Sequence, residues 1–217
     1  MKLGLEGKSI MVAAASRGLG NGIARAVAGD GARVSIAAPT EPKVHEAAAA
    51  LREETGAEVI SSPFDARDPE SIQAWRDRTV EAFGTVDGLV VNAGGPPPGQ
   101  FDDLDDDDWQ AAFELTLMSS VRMIRAVLPA MRAQGFGSIL TVTSSSIKEP
   151  IDILLLSNVM RSGVVSLAKS LSQQLASEKI RVNNLVPGSI DTDRLRSNIT
   201  VQSKAADISF EEKWAQR

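Results

Sequence analysis

The chain has 217 residues, 43% of them hydrophobic, and its 28 acidic and 23 basic side chains leave a formal charge of −5. That length supports one domain with a sizeable core, and the acidic balance with 4% aromatics argues against nucleic acid or an anionic membrane as the partner. With no cysteine, disulfides, thiolate catalysis and cysteine zinc sites are excluded, which fits a reducing compartment.

Short apolar runs alternate with amphipathic stretches along the whole chain. "SIMVAA" (9–14), "ARVSIAA" (32–38), "EVISSPF" (58–64), "GLVVNA" (88–93), "GSILTVTS" (137–144) and "IRVNNLV" (180–186) read as strands. Helices are expected near 20–29, 42–55, 69–83, 108–133 and 155–177. The third has Asp68 as N-cap, Pro69 in its first turn and Gly84 after its end. Almost uniformly apolar strands separated by helices predict a parallel sheet covered on both faces, a doubly wound α/β fold with three αβα layers. No repeat or long linker interrupts it, so residues 1–217 read as one domain. The apolar run 10–15 is too short for a secretion signal, and no segment reaches transmembrane length, so a cytoplasmic protein is expected. The acidic run "FDDLDDDDW" (101–109) lacks the alternation and glycine of a calcium loop and precedes a helix, so Asp107 or Asp108 is read as an N-cap, with no metal site. His45 is expected at the surface, "GGPPPG" (94–99) as a stiff cleft wall, and Trp75, Trp109 and Trp214 as packing anchors.

Ligands of such sheets bind beyond the carboxyl ends of the strands. There the chain reads "AAASRGLG" (13–20), a strand-to-helix turn whose Gly18 and Gly20 let main-chain amides approach a diphosphate. Together with "NAGG" (92–95), three serines at 144–146 ahead of a long helix, and "IRVNNLVPGSIDT" (180–192), this loop resembles the short-chain dehydrogenase/reductase superfamily, its 3-oxoacyl-acyl-carrier-protein reductase-like members above all. The resemblance covers nearly the whole chain and implies a Rossmann fold, NADP or NAD as cofactor, a small carbonyl or acyl thioester substrate, and a homodimer or homotetramer. It implies that Ser16, Gly18, Leu19 and Gly20 hold the cofactor diphosphate, that Asp65 and Ala66 face the adenine, that Asn92, Ala93 and Gly94 line the adenine ribose, and that Pro187, Gly188, Ile190 and Thr192 cover the nicotinamide. The family's final strand is absent, which leaves strand six as an exposed edge in a shortened chain or beneath a partner subunit. Residues 189–217 take the place of a helical segment over the substrate.

The chain departs from this pattern at telling positions. The family's first glycine is Ala14, whose methyl is accommodated where φ is negative. Strand two ends in Ala38 and Pro39, with neither the acid that reads a ribose 2′-hydroxyl nor a cation; Arg17 in the glycine loop is able to reach a 2′-phosphate, which favours NADP. At the family's catalytic positions, Ser144 keeps the serine, Ser157 replaces the tyrosine, Arg161 replaces the lysine four residues on, and Thr116 replaces the asparagine. An aliphatic hydroxyl is too weak an acid to inherit the tyrosine's role, and arginine stays protonated while offering a fork of hydrogen bonds. Ser144 and Arg161 would polarise a carbonyl, with the proton from water or from Lys148 if that ammonium is desolvated. The leading expectation is an NAD(P)-dependent oxidoreductase with a remodelled site; the alternative is a non-catalytic cofactor-binding or scaffold protein. Halohydrin dehalogenases, which carry arginine at the lysine position, keep the tyrosine and lose the nucleotide loop, the reverse of this chain.

Overall fold

Six strands dominated by valine, isoleucine, alanine and serine pair in parallel in the order β3-β2-β1-β4-β5-β6. They are β1 (Ser9–Ala13), β2 (Arg33–Ala38), β3 (Val59–Pro63), β4 (Gly88–Val91), β5 (Gly137–Val142) and β6 (Ile180–Leu185). The coordinates are a computed structural model that describes residues 4–216; residues 1–3 and 217, part of the single-domain reading, lie outside it. Val12 of β1 pairs with Ile36 on one side and Val90 on the other, so the order reverses between β1 and β4. Every residue of β1 and β4 is buried, as strands covered on both faces require.

Helices α1 (Gly18–Gly29) and α2 (Glu41–Thr55) cover one face, where Ala24, Ala28, Val44 and Leu51 meet Val12, Val34, Ile36 and Val90. On the other face α3 (Pro69–Phe83), α5 (Ser119–Gln134) and α6 (Leu155–Gln174) bring Trp75, Met123, Val127, Met131 and Ala168 against Met11, Leu89 and Ile139. Trp75 is the anchor expected of it: its ring stands edge-on to Phe64 with centroids 4.9 Å apart, and its indole N–H donates to Ser35 Oγ at 2.8 Å. Thr79 donates to the same oxygen at 2.7 Å, so the buried serine is satisfied. Asp68 caps α3 by accepting from the amides of Glu70 and Ser71, and Gly84 ends it at φ +80°. His45 is exposed, within 2.9 Å of Ser61 Oγ.

The helix expected over 108–133 is not continuous. Helix α4 (Asp106–Ala112) runs into a wide π-helical turn at Phe113–Met118 before α5 resumes. The cause is local: Ser119 and Ser120 turn their hydroxyls back onto the carbonyls of Leu115 and Thr116 at 2.6 and 2.7 Å and compete with the α-helical ladder. The N-cap of α4 is Asp105, not Asp107 or Asp108. Asp105 accepts from the Asp108 amide at 3.0 Å, and Asp108 returns the bond to the Asp105 amide at 3.2 Å. This reciprocal box needs an acid three residues after the cap, which fixes its register.

Beyond β6, which forms the sheet edge among the described residues, the chain makes α7 (Asp193–Ala205) and α8 (Phe210–Ala215). Trp214 packs on Phe210 at 5.4 Å and under Arg196 at 5.1 Å, and Trp109 joins Leu156 and Met160 beside α6. Because the Asp105 carboxylate holds the Asp108 amide and that of Asp107 holds none, Asp105→Ala is expected to lower stability by about 1 kcal/mol while Asp107→Ala stays within about 0.5 kcal/mol, as read by urea unfolding.

Candidate functional site

At the reversal point, β1 ends at Ala13 and α1 begins at Gly18. The helix is set so close to the strand end that a side chain on Gly20 would fall on the Ala14 carbonyl oxygen and 2.9 Å from Asn92 Nδ2. Asn92, at the end of β4, donates to the carbonyls of Ala13 and Ala14 at 3.3 and 3.4 Å, and Asn21 donates to Ala15 at 3.2 Å. Ala14 itself sits at φ +50°, so the condition under which its methyl is easily accommodated, a negative φ, is not met. The left-handed conformation aims its carbonyl at Asn92 and costs an alanine about 1–2 kcal/mol. Gly18 takes φ +58°.

Two features suit this turn to a dinucleotide diphosphate. No side chain caps the first turn of α1, so its amides keep their attraction for an anion. A side chain built on Gly94 or Gly188 would meet nothing within 4 Å, which leaves open space along the crevice. Gly20 is buried, Ser16, Leu19, Asn92 and Ala93 are half-buried, and Arg17 and Gly18 are exposed.

The segment after β6 arches over the loop. The Ser145 amide donates to the Pro187 carbonyl at 3.2 Å, and Thr192 caps α7 by accepting from the Leu195 amide at 3.3 Å. The Thr192 methyl lies 3.7 Å from where a Gly18 side chain would start, and Arg17 reaches Asp193 at 3.5 Å. Both partners of that ion pair are largely exposed, so it is weak and leaves Arg17 free to exchange partners. Gly188 and Ile190 are exposed on the arch. After β3, Asp65 accepts from the Arg67 guanidinium at 2.8 Å and from the Arg67 amide at 2.9 Å, contacts that hold its carboxyl below the usual range; Ala66 packs half-buried on the core. Asp65 thus lines a cleft of about 540 Å³ with Arg67, Asp107 and Glu114.

Ser157 is buried on α6, and its Oγ accepts from Arg161 Nε at 3.1 Å. Arg161 Nη1 donates to the Val142 carbonyl at the end of β5, also at 3.1 Å. Desolvation, with a smaller push from the Arg194 cation, lowers the Arg161 pKa to about 10, so the group remains charged at neutral pH. Ser144 Oγ accepts from the Ser146 amide at 3.2 Å, which leaves its own proton to donate. Thr116 lies in the π-helical turn, buried, its Oγ1 without a hydrogen-bond partner. Lys148 is exposed at a cleft of about 510 Å³ shared with Ser145, Glu149 and Pro150, so its ammonium keeps its water and the desolvation asked of it is missing.

Sequence reasoning missed Arg194. It stands in the second position of α7, yet its guanidinium crosses to the Pro96 carbonyl at 2.7 Å, a separation of 98 residues along the chain. No local pattern announces such a reach.

The strain at Ala14 yields a direct expectation. Ala14→Gly removes the left-handed penalty, less the freedom glycine gains when unfolded, and should raise stability by about 1 kcal/mol in a urea titration.

The sequence model of the family described as short chain dehydrogenase matches residues 8–202. A putative ketoacyl reductase of the monensin polyketide synthase from Streptomyces virginiae is 35% identical over 184 residues, 84% of this chain and 70% of that protein. The 3-oxoacyl-(acyl-carrier-protein) reductase of Escherichia coli is 32% identical over 202 residues, covering 90% and 78%. The crystal structure of L-sorbose reductase from Gluconobacter frateurii, complexed with NADPH and L-sorbose, superposes with a TM-score of 0.91 at 30% identity, over 98% of this chain and 81% of that one. The strand order, the glycine turn and these likenesses converge: this chain belongs to the short-chain dehydrogenase family.

Proposed function

We propose that this protein is an NADP-dependent oxidoreductase that acts on a carbonyl or hydroxyl group of a small molecule, 3-oxoacyl reductase-like, through a remodelled catalytic site. The observation that carries the reading is the Arg161 guanidinium held on α6 by Ser157 and the Val142 carbonyl, with its Nη2 toward Gly95. Relatives described as ketoacyl and 3-oxoacyl reductases, and a solved neighbour complexed with NADPH, support the reaction class and the cofactor. Strand β2 ends at Ala38 and runs on through Pro39 and Thr40, none of which carries a charge to repel a 2′-phosphate, and Arg17 is exposed beside the loop. Residues 189–217 serve as the substrate cover. The reading includes a cytoplasmic homodimer or homotetramer.

When bound, the nicotinamide supplies or takes the hydride. The chain's own residues orient the substrate: the Ser144 proton and the Arg161 charge polarise the carbonyl oxygen as negative charge develops on it. Neither group releases a proton readily at neutral pH, so water supplies it and reduction is slow.

A second reading, a cofactor-binding scaffold without turnover, is favoured by the same pair. Ser157 is an aliphatic alcohol and Arg161 stays charged, so the helix lacks the acid that its relatives' chemistry needs.

Titration with NADPH and NADH, followed by a screen of 3-oxoacyl thioesters and small ketones, tests both. Turnover with NADPH is expected, and Ser157→Tyr with Arg161→Lys should raise kcat by about 10²–10⁴-fold, the worth of a placed general acid. Tight nucleotide binding with no turnover in the natural chain would select the scaffold.

A further inference from the structure

Half of the described arginines meet a carboxylate. Arg25, Arg67, Arg122, Arg132 and Arg196 pair with Glu54, Asp65, Glu114, Glu178 and Asp191 at 2.6 to 2.8 Å. Arg161 and Arg194 do not, although burial lowers the pKa of both. Among the described residues no ion pair reaches either of them. The acids nearest Arg194 in sequence are engaged elsewhere, Asp191 with Arg196 and Asp193 with Arg17.

The two unpaired guanidiniums converge on one place. A side chain on Gly95 would begin 2.7 Å from Arg194 Nη2 and 3.8 Å from Arg161 Nη2. Glycine at that position lets the Arg194 guanidinium lie against the main chain, and Arg194 spends a single bond, to Pro96, in reaching it. Arginine has five N–H donors; Arg161 has Nε and Nη1 fixed by Ser157 and Val142 and presents Nη2 toward Gly95. Two like charges, partly stripped of water and without a counterion, raise the energy of the empty site, and an incoming oxyanion lowers it.

We propose that Arg161 and Arg194 form an oxyanion-binding site over Gly95, which takes a carboxylate or phosphate group carried by the substrate close to its reacting carbonyl. This deepens the oxidoreductase reading by naming the substrate class, and it rests on that reading only for the carbonyl; anion binding is measurable without cofactor. Arg161 is bonded to the Val142 carbonyl, two residues before Ser144, so the proposed site takes the neighbouring carbonyl on the Ser144 side. A neutral ketone gains none of this.

The test is calorimetric titration of the cofactor-free protein with three matched pairs: acetoacetate and methyl acetoacetate, pyruvate and methyl pyruvate, dihydroxyacetone phosphate and dihydroxyacetone. The anion of at least one pair should bind about tenfold tighter than its neutral mate, and the pair that discriminates separates a carboxylate from a phosphate source. Arg194→Met should abolish the preference and Arg194→Lys should keep part of it, with NADPH affinity unchanged within about twofold. Equal binding within all three pairs, or a preference that persists in Arg194→Met, overturns the site. NADPH binding weakened tenfold by Arg194→Met would also overturn it, by assigning that cation to the cofactor phosphates. Failure of the natural chain to bind NADPH would strike the proposed function and leave the anion result to stand or fall alone.

Discussion

One close approach organises the functional end of this protein: the first turn of α1 packed onto the end of β1 with no side chain between them. Gly20 lies against the Ala14 carbonyl, and Asn92 draws the Ala13 and Ala14 carbonyls toward β4. The contact sets where the helix amides point, and so where an anion is favoured. It also explains why Ala14 is tolerated at positive φ. The carbonyl that Asn92 holds requires that backbone, and the strain is borne by the packing around it. The same asparagine ties the two central strands together at the point where the sheet order reverses, so the crevice and the sheet share one fastening.

Across the crevice two guanidiniums bring positive charge to the end of the sheet. A guanidinium stands on α6 where the family resemblance calls for an amine beside a phenol, and its serine partner accepts a hydrogen bond from it. Fixed on two sides and raised in energy by burial, Arg161 acts as an electrostatic fixture in place of a proton carrier. Arg194 adds a second cation from the arch that covers the loop. On the proposed reading the site trades general-acid strength for affinity toward negative charge, in a chain whose overall charge is negative. An acidic surface with a cationic cleft focuses small anions on the cleft.

The sheet was legible because its central strands are almost wholly apolar and its helices carry their own punctuation. Asp68, Pro69 and Gly84 mark α3 at both ends, and the glycine turn with "NAGG" marks the reversal point. What escaped has a common physical origin in partners distant along the chain or in competition among near-equivalent groups. Six aspartates crowd positions 102–108, and only the reciprocal bond with Asp108 selects Asp105 as the cap of α4. Helix propensity favours an unbroken run through 113–118, and serine hydroxyls override it. The sign of φ at Ala14 follows from Asn92, far off in sequence, and the role of Arg194 from a carbonyl farther still. Of the catalytic positions, Ser157 and Arg161 meet as their helical spacing implies, whereas Lys148 comes to rest in solvent.

The measurement that bears most directly on the whole account is the NADPH dissociation constant of three proteins: the natural chain, Gly20→Ala and Gly22→Ala. Both substitutions sit in α1, but a side chain at Gly22 meets nothing within 4 Å, while one at Gly20 collides with the Ala14 carbonyl. The account predicts that the natural chain and Gly22→Ala bind NADPH alike, and that Gly20→Ala, displaced from the strand end, binds at least about tenfold more weakly. No binding by the natural chain, or equal binding by all three, would contradict it.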